Sequence, residues 1–155
     1  MTGKADYTEE EWKQIIEAPP SAGLVVITSE GGGSIRESFS MAKAYTEARS
    51  EHGESQLLDE VVATKPEMDK TRAGSKQELK ENNLQNIHEA LAVLEAKAEP
   101  AEVLEYKRFI LGLAKRVAEA HREGFLGLSG ERVSDAEQAA VDEVAAALDL
   151  PSEQA

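Results

Sequence analysis

The chain has 155 residues, 41% of them hydrophobic, with 17 Lys+Arg against 30 Asp+Glu for a formal net charge of −13, and no Cys. That length supports one compact domain with a buried core and excludes two large ones, while the lack of Cys excludes disulfides, thiolate metal sites and Cys nucleophiles. The acidic balance repels phosphate backbones and anionic lipid, so neither nucleic acid nor a membrane surface is an expected partner.

The elements follow in chain order. Thr8 and Glu11 have capping-box spacing, and Trp12, Ile15 and Ile16 supply an apolar stripe, so a short first helix is expected, ended by Pro19 and Pro20. Its acidic start, with Lys4 the one cation, lacks the character of a signal peptide, which makes a cytoplasmic location the expectation. The run Leu24 to Thr28 is mostly β-branched and leads into Gly31, Gly32 and Gly33, which suits a strand. A strand needs a neighbour for its backbone hydrogen bonds, and no other segment reads as one, so the run is assigned to a buried helix. At Ala22 to Thr28 this longest uncharged apolar stretch is far short of the roughly 20 residues that cross a bilayer.

Ser34 and Glu37 repeat the capping box, and Ile35, Phe39, Ala42 and Tyr45 predict a helix over 35–49, closed by His52 and Gly53. A shorter helix carries Leu57, Leu58, Val61 and Val62. The polar stretch 65–76, with Pro66 and Gly74, reads as a linker. Leu84, Ile87, Leu91 and Leu94 have the spacing of a helix packed along another. Pro100 suits the first turn of the next helix, whose stripe is Val103, Tyr106, Ile110, Leu113, Ala114 and Val117, and the two helices should form an antiparallel hairpin across a very short turn. After Gly124, Gly127 and Gly130, Ser134 and Glu137 open a last helix that buries Val141, Val144, Ala145 and Leu148. The expected fold is an all-α bundle of about six or seven helices over residues 1–150. It divides into halves 8–64 and 77–150 joined by the linker 65–76, and 151–155 form a disordered tail.

No residue set stands out as catalytic, cofactor-binding or metal-ligating. The Gly31–Gly33 turn lacks both the GxxxxGK[ST] and the GxGxxG order. His88 and Glu89 begin a HExx sequence, but Ala92 stands where a second imidazole would be needed. Gly127, Leu128, Ser129 and Gly130 do not make a nucleophile elbow, and the acids around either Gly-rich turn do not follow a calcium-loop order. In both turns the closing Glu is already explained as the partner of a capping Ser. Residues 123–155 hold eight acids against Arg132, so −7 of the −13 lies there. Phe125, Leu126 and Leu128 in the loop 123–132 either fold back onto the core or meet a partner, because exposed apolar clusters are uncommon on monomers.

The C-terminal third is similar to a group of uncharacterised bacterial helical proteins. The similarity lies in Ile110 to Ala120, Glu123, Gly124, Phe125, Leu126, Gly127, then Arg132, Val133, Ser134, Asp135, Ala136, Glu137 and the closing Leu148, Asp149, Leu150; Trp12, Ala18 and Pro19 add to it. More distantly, two helices joined by a Gly-and-acid turn and a following Val-Ser-x-x-Glu resemble the TerB-like domains of tellurite-resistance and stress-response systems. That resemblance implies an all-helical, two-halved, non-catalytic fold with cation binding through acids, of which only Glu137 maps onto the pattern. The function expected is a non-catalytic bacterial accessory or interaction protein, with a protein partner or self-association through the 123–132 loop. The alternative is a small-ligand or cation-binding protein, or an enzyme, with its pocket near the Gly31–Gly33 turn.

Overall fold

In the computed structural model, which describes residues 1–29, 35–51, 55–66, 75–124 and 134–151, the chain begins with a single 3-10 turn, Lys4–Asp6. Among the described residues six α-helices follow: α1 (Glu9–Ile27), α2 (Ile35–Ser50), α3 (Gln56–Ala63), α4 (Lys76–Lys97), α5 (Pro100–Gly124) and α6 (Asp135–Ala147). Among the described residues there is no strand, so the all-α expectation holds and Leu24 to Thr28 is helical up to its last residue, which caps α1.

One boundary differs from the sequence reading. Pro19 and Pro20 do not end the first helix; both lie inside α1, which fuses two expected helices into one of 19 residues. Proline removes the N–H that would donate to the carbonyl four residues back and crowds that carbonyl, which normally breaks a helix. For Pro19 the carbonyl left without its donor is that of Ile15. The buried Tyr106 hydroxyl of α5 donates to it at 2.6 Å. One turn on, Ser21 Oγ donates to the Glu17 carbonyl at 2.8 Å and accepts from Asn86 Nδ2 of α4 at 3.1 Å. A tertiary hydrogen bond thus replaces one that the local sequence cannot make.

Helix α1 is the centre of the molecule, packed against α4, α5 and α6, while α2 lies mainly on α5. From Ala18 to Ile27 every residue of α1 is buried, so this half has no polar face. A helix enclosed on all sides carries apolar residues all round, which is why the run had no helical periodicity to read. Gly23 sits in it because the Met41 side chain of α2 lies where a Cβ would go.

Two further expectations are corrected. α4 and α5 are joined by the short turn Ala98–Glu99, but α4 packs chiefly along α1, and its Ile87, Leu91 and Leu94 are buried in the core. The seam on α4 was real and its partner was not the neighbour in sequence. On α2 the buried face is Met41, Ala44 and Tyr45, whereas Phe39 is 71% exposed and Ala42 faces solvent. Core residues from both sides of 65–76 join one cluster, from Tyr7 and Trp12 through Val62 to Leu148. Residues 67–74 of the linker and 152–155 of the tail lie outside the described residues.

Candidate functional site

Three of the four described helix N-termini with a side-chain cap use a serine, and two form full capping boxes. Thr8 accepts from Glu11 N–H at 3.1 Å while the Glu11 carboxylate accepts from Thr8 N–H at 2.9 Å. Ser134 and Glu137 do the same at 3.2 and 3.1 Å. Glu137 is therefore occupied as a helix cap and buried in that role. Glu102, the other buried carboxylate among the described residues, accepts from Glu99 N–H at 3.0 Å to cap α5 and from Thr2 N–H at 2.6 Å, which clips the start of the chain to that helix.

Among the described residues no group of three or more His, Asp or Glu is placed to hold a metal ion. His88 is exposed on α4. The Gly31–Gly33 turn, His52, and residues 125–132 of the 123–132 loop, including Phe125, Leu126 and Leu128, lie outside the described residues. Among the described residues two carboxyls are held below their usual range: Glu11 by the Lys97 ammonium at 2.6 Å, and Glu47 by the Arg116 guanidinium. Each ties two helices together. Lys97 also stands 5.6 Å over the Tyr7 ring.

Three concavities are lined by described residues. The most apolar, a groove of about 410 Å³, is built where two helices end and one begins. The last turn of α4 brings Glu95, the turn after it Ala98, the first turns of α5 bring Pro100, Val103, Leu104 and Lys107, and the residues after α6 bring Asp149 and Leu150. Pro100 occupies the first helical position, where a missing N–H costs nothing and its fixed φ directs the chain out of the turn. Opposite it, α6 closes with a Schellman motif: Asp149 N–H donates to Ala146 O at 3.1 Å and Leu150 N–H to Ala145 O at 3.0 Å. That motif turns Leu150 back against the core and places Asp149 at the groove's rim. The Lys107 side chain is only 13% exposed, and its ammonium lies 3.5 Å from Glu95.

A second cleft of about 220 Å³ is lined by Thr28, Ser29, Lys76, Gln77, Lys80 and Glu143, with Lys80 paired to Glu143 at 3.2 Å. A third, of about 370 Å³, lies between Leu58 of α3 and Phe109 of α5, with Asp59, Glu105 and Arg108 at its edge.

The groove escaped the sequence reading because it belongs to no single helix face. Leu104, which lies off the α5 stripe, and Leu150, which follows the end of α6, were its signals: large apolar residues at positions where a solvated surface would carry polar ones. No protein-family model matches the chain, and no curated protein and no solved structure is significantly similar to it.

Proposed function

We propose that this chain is a non-catalytic helical accessory protein that works by holding a protein partner in the groove between the α4–α5 turn and the end of α6. The observation that supports this reading is the groove's lining: Ala98, Pro100, Val103, Leu104 and Leu150 are apolar, and its charged members are the Lys107–Glu95 pair, matched to each other, and Asp149. That is the anatomy of a docking pocket for an apolar side chain, which needs a desolvated centre and a polar border. A reaction centre instead gathers titratable groups at its heart. The 123–132 loop, with Phe125, Leu126 and Leu128, supplies further apolar side chains for the same purpose. A bacterial setting and an association with stress response belong to this reading through the resemblance to TerB-like domains, and a cytoplasmic location through the acidic character of the first residues.

Placing a photo-crosslinking phenylalanine at position 104 and irradiating cells that express the protein tests it. A discrete adduct with another protein is the expected result, and recovery of the uncrosslinked chain alone would overturn it. In parallel, Phe125→Asp should leave the melting temperature unchanged and weaken capture of that partner.

A second reading, a small-ligand or cation-binding protein or an enzyme, draws on the cleft at Thr28 and Ser29, residues that precede Gly31–Gly33 in the sequence; the cleft also carries Lys76 and Lys80. It expects a dose-dependent rise in melting temperature with phosphate, nucleotides, Ca²⁺ or Mg²⁺. A flat response to all four removes it.

A further inference from the structure

Asp149 breaks two local rules at once. It has φ 53°, a left-handed conformation that glycine adopts freely and that Asp adopts more readily than most L residues but still at a cost. It also puts a negative charge at the C-terminal end of α6, where the helix dipole is already negative and where the last turn holds no basic residue. Among the described residues no hydrogen bond or ion pair of its carboxylate is present to offset either cost. Glycine at this position would serve the Schellman motif better, so the carboxylate is a feature that the helix end does not require. Residues that break local rules without a compensating contact point to function.

The surroundings give the same sign. α4 also ends at the groove, so two helix C-termini meet the N-terminus of α5 there, and the positive end of α5 is already capped by the Glu102 carboxylate, which accepts from Glu99 N–H. The basic residue in the last turn of α4, Lys97, is turned away to Glu11 and the Asp6 carbonyl. Lys107, the cation in the groove, is already matched to Glu95. What is left unneutralised at the rim is negative, and it borders an apolar floor.

We infer that the groove takes a basic amphipathic segment of a partner protein, one apolar side chain entering between Leu104 and Leu150 while a Lys or Arg within a helical turn of it meets Asp149. This rests on the docking reading above and adds the partner's chemistry to it. A groove of about 410 Å³ has room for a leucine- or phenylalanine-sized anchor, the helix-in-groove mode of recognition. A second copy of this chain fits less well, since each copy brings a net charge of −13 to the contact.

The probe is a short fluorescein-labelled helical peptide with leucines on one face and arginines beside them, compared by anisotropy with an all-alanine-face version and with a version carrying glutamates for arginines. The leucine–arginine peptide should bind saturably, about ten-fold more tightly than either control. Leu104→Glu should abolish binding with helical circular dichroism intact. Asp149→Asn, which keeps the backbone shape, should weaken binding about three-fold and flatten its salt dependence. Equal binding of all three peptides, or indifference to Asp149→Asn, overturns the inference. So does a dimer in light scattering that Leu104→Glu dissociates, because the occupant is then a second copy. If no peptide binds while the crosslinker at position 104 still captures another protein, the docking reading stands and this partner chemistry falls.

Discussion

Pro19 and Tyr106 are coupled through one carbonyl. Tyr106→Phe would leave the Ile15 oxygen buried without a donor, since residue 19 has no N–H to offer, and should cost about 1–3 kcal/mol in a denaturant titration. In a Pro19→Ala background the new Ala N–H can serve that oxygen, so the same substitution should cost less by at least about 1 kcal/mol. Equal costs in the two backgrounds would show that the hydroxyl does not stand in for the missing amide. Glu102 is a second single-residue clasp: Glu102→Ala frees Thr2 N–H and Glu99 N–H together and should destabilise by about 1–3 kcal/mol.

Helix ends and helix faces behave differently as sources of information. The capping boxes at Thr8 and Ser134 were legible because a cap is a contact between residues three apart, and Ser134→Ala should cost about 1 kcal/mol for that reason. The other end of the same helix was not legible, because an Asp in a Schellman turn looks like any loop acid. Asp149→Gly should raise stability by about 1 kcal/mol by relieving the positive φ and the charge at the helix terminus. On α5 the six residues read as a stripe from Val103 to Val117 are all buried, since one face of that helix is covered and the other is wet, although Leu111, buried with them, was not part of that reading. Gly112 lies in that helix with open space where a Cβ would go, so Gly112→Ala should stabilise by about 0.5–1 kcal/mol through helix propensity alone. α2 was misread at Phe39: with apolar residues on more than one face, periodicity does not say which face the rest of the molecule will cover.

For the whole molecule the titration limbs follow from where the tyrosines and ion pairs sit. Burial pushes the Tyr7, Tyr45 and Tyr106 phenols above their usual range, Tyr106 most strongly. A folded-state pKa above the unfolded value stabilises the fold below about pH 10 and loses that contribution as pH rises beyond it. Absorbance at 295 nm should therefore show Tyr45 and Tyr106 ionising together with the loss of helical circular dichroism; tyrosinate appearing while the helices persist would contradict the burial. The acid limb has the opposite origin. Glu11 and Glu47 are held down by Lys97 and Arg116, so their contribution is present above about pH 4.5 and fades as pH falls through their lowered values. Lys97→Ala should make that acid limb shallower in denaturation measured from pH 6 downward.

By itself the sequence determined the class of fold, the positions of α3 to α6, most of the core stripes and the capping boxes at Thr8 and Ser134, because each of these is decided within a few residues by side-chain period and local hydrogen bonds. It also excluded a strand at Leu24 to Thr28 by hydrogen-bond accounting, which the helical α1 bears out. Only the tertiary structure decided that α1 runs through Pro19 and Pro20, since the donor that relieves Ile15 lies 91 residues away on another helix. It likewise decided that α4 lies along α1 instead of α5, and that Leu104, Lys107, Asp149 and Leu150 share one groove. Contacts of that kind depend on how whole helices stack, which no short-range pattern encodes.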